Sequence, residues 1–365
     1  MRITAEITGI EYKIRLIPEL KTINITDFDV NKIPSSCILA NKKKFFAVSK
    51  WISPKRTRSY PYEKVYNTLS FPKKITIIPI IKGEGSEGDR DFIQWDTISL
   101  MSLLDVYVIF TYYKNATKHG TRINKITNQQ FDNKFVVDKI KDISNYHSSA
   151  LHWNLKEVNN NFSHLIELAQ QSYSRIENKL KIQLHNSHGI ETFKNQFKHD
   201  VKYFMDASRK KSEEAQNRES RTTQPKELLK TLTKATLTIK NYLGGLYFLT
   251  TDEILIKGET LYLIESKHSK RSLIPSKGDI KDGLLKMILY SNLKKVMVDG
   301  IEYQATPILN LTSEKLKGEI KSTASKKEIE KFLSANKFSS AQIIFANKLF
   351  SEAEVNNFQI FMQNG

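Results

Sequence analysis

The sequence predicts an α/β (α+β) fold, because apolar runs of strand length alternate with longer segments of helical periodicity. Residues 254–256 and 261–264 are two short apolar runs on either side of the turn residues Lys257 and Gly258. Runs this short, bounded by turn residues, are typical of strands. Residues 144–220, in contrast, carry leucine, isoleucine and tyrosine at spacings of three to five, which is typical of an amphipathic helix.

The N-terminal region is predicted to be a mixed α/β domain. Strands are expected in residues 3–17, 36–50, 75–81 and 106–113, and a helix in residues 97–104. A glycine-rich acidic loop follows the third strand. Its five carboxylates suit a metal site, although a solvated loop or a specificity element is the favoured interpretation; they are Glu84, Glu87, Asp89, Asp91 and Asp96.

The middle of the chain, residues 144–224, is predicted to be a helical region that ends in a linker. Residues 208–225 are charged, almost without apolar side chains, and closed by a proline. We therefore place a linker there and divide the chain into residues 1–143, 144–224 and 225–365. His185 and His188 lie in this region without an acid or cysteine at ligand spacing, so we expect no metal site at that pair.

The C-terminal region has the most regular pattern. We expect a helix from Pro225 that continues through residues 228–243 and ends at Gly244 and Gly245. Strands at 246–250, 254–256 and 260–267 follow, then a helix over residues 277–293 with Ser276 as its cap. Two further strands, 295–298 and 301–308, are joined by an Asp-Gly turn. The tail from residue 326 carries helical and strand-like pieces, such as residues 341–346, without a functional motif.

The composition is that of a folded basic protein. At 365 residues and 39% hydrophobic content the chain can bury two full cores. Its apolar runs are shorter than the roughly 18 residues of a membrane span, and its N-terminus alternates like a strand. We therefore expect a cytoplasmic protein that does not interact with membranes. The single cysteine, Cys37, excludes an intramolecular disulfide and argues against a structural zinc site.

The net charge of +18 suggests a polyanionic partner such as nucleic acid. Alternatively, an AT-rich genome can raise the lysine content everywhere. Residues 42–74 concentrate ten lysines and arginines against one acid, Glu63. Basic groups interleaved with aromatics suit phosphate contacts and stacking, although an exposed loop packed by its own aromatics is an equal alternative. The predicted DNA-binding residues are Trp51, Lys55, Arg56, Arg58 and Tyr60.

The candidate catalytic residues lie in residues 246–267. Alternate side chains of a strand share a face, so Glu265 and Lys267 point the same way, and Asp252 can approach Glu265 from the neighbouring strand. Two adjacent carboxylates suit Mg²⁺, which polarises a phosphodiester and activates a bound water. Lys267 would then orient or help to deprotonate the attacking water. The alternative is a solvated ion pair at strand ends.

The spacing acid-any-Lys alone is not specific, since it occurs eight times in the chain. Most of the other instances lie in helical or loop-like sequence, and Glu11 with Lys13 lies in a plausible strand without a preceding Asp hairpin. Only Glu265 combines an apolar strand, an Asp one hairpin upstream, and a helix and strand downstream.

This combination resembles the PD-(D/E)xK nuclease superfamily, the fold of most type II restriction endonucleases, over residues 225–311. The resemblance implies an αβββαβ core in which Asp252, Glu265 and Lys267 are catalytic, and Asp252, Glu265 and Ser266 are the residues at the metal. Thr251 stands where the family motif has proline. Possible accessory residues are Glu253 as an alternative to Asp252, Glu227 on the preceding helix, and Lys286, which takes the Gln position of a Gln-x-x-x-Tyr pair that ends at Tyr290.

The function implied by the resemblance is that of a Mg²⁺-dependent type II restriction endonuclease that cuts double-stranded DNA at a specific sequence. Residues 225–365 would be the nuclease domain and residues 1–143 a DNA-recognition domain. A homodimer is expected for palindromic cutting, and a cognate DNA methyltransferase is expected genetically. Two alternatives remain: a repair or defence nuclease of this fold without a fixed site, and a catalytically inactive nucleic-acid-binding protein.

Overall fold

The computed structural model describes residues 2–41, 44–55, 61–196, 201–221, 235–243 and 245–365. The chain divides into two compact units. The split unit comprises residues 1–18 and 210–365, and the inserted unit comprises residues 19–209. This division differs from the expected boundaries after residues 143 and 224, because the first strand of the chain pairs with strands from its C-terminal third.

Both units have mixed α/β content, as the sequence predicts. The first strand of the chain, β1 (Arg2–Ile7), belongs to the split unit. The elements that follow it are strands β2 (Thr22–Asn24), β3 (Ser36–Asn41), β4 (Lys44–Lys50), β5 (Lys74–Pro79), β6 (Ile81–Gly83), β7 (Arg90–Phe92), β8 (Val106–Thr111), β9 (Tyr113–Lys118) and β10 (Ile126–Phe131), and helices α1 (Pro61–Tyr66), α2 (Trp95–Leu103), α3 (Asn133–Ser144), α4 (Ala150–Leu180), α5 (His188–Asn195) and α6 (Val201–Arg221).

The inserted unit is built on a five-stranded sheet with the order β2-β3-β4-β5-β8. β4, β5 and β8 are parallel, whereas β3 and β4 form an antiparallel hairpin. Every residue of β5 and β8 is buried, as expected for parallel strands covered on both faces. Helix α4 is joined to β8 by polar contacts: the Trp153 indole donates to the Val108 carbonyl, and the Asn154 amide bonds to the backbone of Val106 and Val108.

The split unit contains β1 (Arg2–Ile7) and the C-terminal elements of the chain. These are strands β11 (Ala235–Asn241), β12 (Leu246–Thr251), β13 (Glu253–Lys257), β14 (Thr260–Ser269), β15 (Lys294–Val298), β16 (Ile301–Ser313), β17 (Glu319–Lys321) and β18 (Gln359–Asn364), and helices α7 (Lys277–Ser291), α8 (Lys326–Ala335) and α9 (Ser340–Val355).

One large sheet organises the split unit, in the order β12-β11-β1-β15-β16-β14-β13, with β18 beside β16 and β17 beside β18. β1 runs parallel to β11 and antiparallel to β15. β14 runs parallel to β16 along ten residue pairs, and α7 lies between these two strands in sequence. This strand-helix-strand connection places α7 next to β14, where the chemistry is predicted.

Several local predictions for this unit are confirmed. β13 and β14 form the expected hairpin. The Ser276 hydroxyl caps α7 by accepting from the Asp279 amide at 3.1 Å. Asp299 and Gly300 connect β15 to β16 with φ angles of 49° and 85°, the left-handed geometry of a tight hairpin turn.

Other predictions were wrong. Residues 235–241 form β11 and not a helix, because apolar and polar residues alternate with a period of two; the proposed helix start at Pro225 lies outside the described residues. Residues 208–221 of the expected linker belong to α6, since a charged sequence can still form an exposed helix. Residues 341–346 are helical, within α9, whose start is fixed by a capping box at Ser339 and Gln342.

The segment between β1 and the inserted unit was also expected to be a strand through residue 17. The backbone amides of Arg15 and Leu16 instead donate to the buried carboxylate of Glu352 at 2.7 and 2.8 Å. In the described parts of the chain, no helix has the length and apolar character needed to cross a membrane.

Candidate active site

Asp252 occupies the single residue between β12 and β13. Its Oδ2 accepts a hydrogen bond from the backbone N–H of Ser266 at 2.8 Å. That bond links the end of β12 to the part of β14 that carries the predicted acid and lysine. The half-buried Asp252 carboxylate is therefore held beside Glu265, as the sequence predicts.

Glu265 is the most buried charged residue of the cluster, with 2% of its surface exposed. Both of its carboxylate oxygens have a cationic partner. Oε1 lies 3.0 Å from the Lys267 Nζ, and Oε2 lies 2.8 Å from the Lys286 Nζ. Lys267 is two residues along the same strand and therefore shares a face with Glu265.

Helix α7 contributes two residues four positions apart, which lie on one face of the helix. Lys286 binds Glu265, and its Nζ also lies 3.5 Å from the Thr250 carbonyl oxygen at the end of β12. Asp282 binds the Lys267 Nζ at 3.2 Å. Sequence reasoning missed Asp282, whose only signal was its spacing from Lys286.

A glycine allows this helix to approach the sheet. A Cβ added at Gly283 would lie 2.7 Å from Leu309 Cδ1 and 3.3 Å from Lys267 Cε. The first distance is shorter than side chains tolerate, so Gly283 sets the distance between α7 and the strands that carry the site. Lys267 is therefore confined by packing as well as by its two carboxylate partners.

The two central carboxylates have pKa values shifted in opposite directions. Burial, and then the negative charge of Glu265, raise the pKa of Asp252, and nearby Lys286 and Lys267 only partly offset this. Burial alone would raise the pKa of Glu265 too. Its direct contacts with Lys286 and Lys267 outweigh burial and hold its pKa below the ordinary value. Glu265 is thus fixed as an anion, whereas Asp252 is the carboxylate whose charge is costly.

Both lysines are stabilised as cations. Burial would lower the pKa of Lys267, but Glu265 and Asp282 raise it above its usual value. The pKa of Lys286 is also raised despite burial, chiefly by Glu265. Burial raises the pKa of Asp282, and the Lys267 ammonium partly offsets that effect. At neutral pH, Lys267 therefore holds its proton and acts through its positive charge.

Asp252, and not Glu253, faces the cluster. Glu253 pairs across the hairpin with Ile264, and directly opposed residues share a face of a sheet. Ile264 and Glu265 are successive residues of β14, so Glu253 lies on the face opposite to Glu265. The Ser266 hydroxyl accepts a hydrogen bond from the Asn310 amide at 3.2 Å. Ser266 contacts Asp252 through its backbone N–H. Glu227 lies outside the described residues.

The carboxylates of Asp252 and Glu265 have the chemistry that a magnesium site requires. Among the residues that the structure describes, three or more His, Cys, Asp or Glu side chains do not gather in any metal-binding group. Mg²⁺ is commonly held by only one or two carboxylates together with waters and substrate phosphate. With Asp282, three carboxylates face two ammonium groups, so one negative charge is in excess when all are ionised. A cation here would offset the repulsion that raises the pKa of Asp252.

The predicted DNA-binding residues are placed differently from what the sequence suggested. Trp51 is only 1% exposed, so it is a core residue of the inserted unit and is not available for base stacking. Lys55 pairs with the buried carboxylate of Asp91 at 2.5 Å, although its side chain is 44% exposed. Arg56, Arg58 and Tyr60 lie outside the described residues. The local sequence could not show that Trp51 faces inward.

Several other lysines of the basic stretch have structural partners. Lys44 donates to the Ser144 carbonyl at 2.6 Å, and Lys73 donates to the carbonyls of Ile143 and Tyr146 at 2.6 and 2.9 Å. These carbonyls lie at the C-terminal end of α3, where the helix leaves acceptors unpaired and its dipole favours cations. Lys64 and Lys74 are buried. Part of the basic stretch therefore stabilises the inserted unit itself.

The acidic loop is more buried than expected. Asp91 and Asp96 are 1% and 2% exposed. Glu84 forms ion pairs with Lys82 at 2.8 Å and Lys125 at 3.0 Å, and these pairs outweigh burial and lower its pKa to about 2. The expectation of a solvated loop therefore holds for Glu87 and Asp89, which are exposed, and is wrong for Asp91 and Asp96.

Comparison of the chain with protein-family models, with curated proteins and with solved structures found no match. We therefore infer the function from the geometry of the cluster around Glu265.

Proposed function

We propose that the protein is a Mg²⁺-dependent deoxyribonuclease of the PD-(D/E)xK type, acting as a type II restriction endonuclease on double-stranded DNA. The observation that carries this proposal is the meeting of Asp252, Glu265 and Lys267 at one point of the sheet, through the Ser266 N–H bond and the Glu265–Lys267 ion pair. A solvated ion pair at strand ends is disfavoured, because Glu265 is almost fully buried and bound by two lysines.

The two carboxylates would hold the metal. Mg²⁺ supplies Lewis acidity toward the scissile phosphodiester and a lowered pKa for a bound water. Asp252 is suited to be a ligand because its charge is poorly compensated within the protein. Glu265 is suited because contacts with two ammonium groups keep it ionised.

Lys267 would act as a fixed cation beside the scissile phosphate. Its raised pKa argues against the removal of a proton from water by its neutral amine. Its ammonium would instead orient the water by hydrogen bonding and stabilise the charge that develops on the phosphate. Asp282 holds this ammonium from the side of the helix.

Lys286 would have a different role. It binds the second oxygen of Glu265 and lies within 3.5 Å of the Thr250 carbonyl, so it ties α7 to the strands that carry both metal ligands. We assign it to positioning Glu265, and direct contact with phosphate is secondary.

The test is incubation of the purified protein with supercoiled plasmid in the presence of Mg²⁺, with a parallel sample in EDTA. Discrete linear fragments with Mg²⁺ and none in EDTA are the expected result. A smear would retain the nuclease chemistry but contradict the specific site. No cleavage with Mg²⁺ on methylation-free plasmids of varied sequence would contradict the proposal.

A further inference from the structure

The inserted unit contains a cavity of about 510 Å³ that is remote in sequence from the Glu265 cluster. Its volume lies within the roughly 300–1,000 Å³ of small-molecule sites. The wall is formed by β10, by the ends of β4 and β6, and by the loops next to them, all in the inserted unit.

The charge of this cavity is positive. Lys50, Lys82 and Lys125 line it together with one carboxylate, Glu84, which leaves two positive charges in excess. Glu84 holds Lys82 and Lys125 side by side, one on each carboxylate oxygen. Each ammonium has three N–H donors. The described contacts use one of these on Lys82 and one on Lys125.

Lys50 is fixed in a similar way. Its ammonium donates to the carbonyls of Val30 and Ile33 at 2.7 and 3.1 Å, which leaves a third donor. All three lysines that line the cavity are therefore held by partners and keep donors to spare. A phosphate monoester carries about −1.5 to −2 at neutral pH, and the cavity as a whole, with Lys50 included, has two positive charges in excess to balance it.

Amide side chains on an irregular strand also line the cavity. β10 carries an extra residue relative to β9 between Thr127 and Gln130, and Asn128 in this bulge has a left-handed φ of 48°. Bulges redirect side chains and are over-represented beside functional sites. Gln129 is locked, since it donates to the Gly83 carbonyl at 2.7 Å and accepts from the Tyr173 hydroxyl at 2.9 Å.

Two amides at the rim remain available for a ligand. Asn128 and Gln130 are exposed, and within the part of the chain that the structure describes neither side chain has a hydrogen-bond partner. Carboxamides pair with the donor and acceptor edges of nucleobases, and lysines pair with phosphate. Both kinds of group occur here within one cavity of suitable size.

We propose that this cavity binds one nucleotide, with its phosphate against Lys82 and Lys125 and its base against the amides of Asn128 and Gln130. The nucleotide is either free or extruded from a DNA strand, since both present the same base and phosphate. The proposal does not depend on nuclease activity.

The test is isothermal titration of the full chain, in EDTA, with each of the four deoxynucleoside 5′-monophosphates, the matching nucleosides and inorganic phosphate. We expect at least one monophosphate to bind. Lys125→Gln should weaken the binding of that monophosphate about tenfold, which is the effect of losing one charge-assisted hydrogen bond. Asn128→Gly should weaken the binding of the monophosphate about fivefold and leave the binding of inorganic phosphate unchanged. Glycine accepts the left-handed φ at this position, so only the amide side chain is lost.

Two further variants control these results. Lys141→Gln removes an exposed lysine that pairs with Asp138 outside the cavity, and it should bind the nucleotide like the parent protein. Gln130→Ala changes an exposed rim side chain and should also weaken nucleotide binding, which keeps the test valid if Lys125→Gln fails to fold.

Competition identifies the source of the nucleotide. If single-stranded or duplex DNA displaces the bound monophosphate, and Asn128→Gly weakens the competing DNA about as much as the monophosphate, then the nucleotide comes from DNA. If DNA does not compete, then the site takes a free nucleotide. The proposal is overturned if no monophosphate binds at ~5 mM, far above the Kd of a specific site, or if the cavity variants bind as tightly as Lys141→Gln.

Discussion

Replacement of Lys286 by methionine tests whether Glu265 is held as a buried anion. The substitution keeps the length of the side chain and removes the ammonium that lies 2.8 Å from Glu265 Oε2. The Glu265 side chain is only 3% exposed, so solvent cannot replace the lost partner. Glu265 keeps Lys267 as a partner at 3.0 Å, so its carboxylate loses only part of its compensating positive charge.

The magnitude follows from this geometry. Removal of one partner of a buried ion pair costs about 3–5 kcal/mol. Because Lys267 remains, we expect the lower end, about 3 kcal/mol, for Lys286→Met. The double variant Glu265→Gln with Lys286→Met removes the uncompensated charge. Its loss of unfolding free energy should therefore be about 1–3 kcal/mol smaller than the sum of the losses in the two single variants. Lys326→Met breaks an exposed pair with Glu330 and should cost less than about 0.5 kcal/mol.

The assay is urea unfolding followed by far-UV circular dichroism, together with hydrogen exchange of peptides from β14 and α7. Tryptophan fluorescence is a poor probe of the split unit, because Trp51, Trp95 and Trp153 all lie in the inserted unit. If Lys286→Met is as stable as Lys326→Met, or if the effects of the two single changes at Glu265 and Lys286 are additive, then Lys286 does not stabilise Glu265 as a buried anion.

Two further predictions concern the same site. The pKa of Asp252 is raised, so folding disfavours its charged form. Asp252→Asn should therefore raise the melting temperature in EDTA at neutral pH. The gain should vanish as pH falls below the ordinary pKa of 3.8, where Asp252 is protonated in both the folded and the unfolded state. An equal gain at all pH values would contradict this. Gly283→Ala should destabilise the protein by about 1 kcal/mol and slow plasmid cleavage, because the added Cβ displaces Leu309 or Lys267. A gain in stability, as expected for Ala in an open helix, would show that α7 is not tightly packed.

Local signals in the sequence predicted the frame of the candidate site correctly. The hairpin of β13 and β14, the Ser276 cap and the Asp299-Gly300 turn depend on residues close in sequence. The same periodicity placed Glu265 and Lys267 on one face of a strand. The helix predicted over residues 228–243 was wrong, because residues 235–241 alternate with a period of two, which is typical of a strand.

Features that depend on distant contacts could not be predicted in this way. β1 pairs with β11 and β15, more than half of the chain away, so the domain boundaries were misplaced. Asp282 joins the site only because Gly283 lets α7 approach β14. Trp51 looks like a stacking residue in its basic surroundings, but its burial is set by the sheet of the inserted unit.

The most direct test of the active-site assignment is a comparison of plasmid cleavage by Lys267→Ala and Lys257→Ala in Mg²⁺. Both changes remove a lysine from the same hairpin, but Lys257 is exposed at the turn, whereas Lys267 binds Glu265 and Asp282. Loss of a charge that stabilises a transition state costs roughly 10²–10³-fold in rate. We predict a loss of at least this size for Lys267→Ala and cleavage close to that of the parent protein for Lys257→Ala. Equal cleavage by the two variants would contradict the assignment of this cluster as the active site.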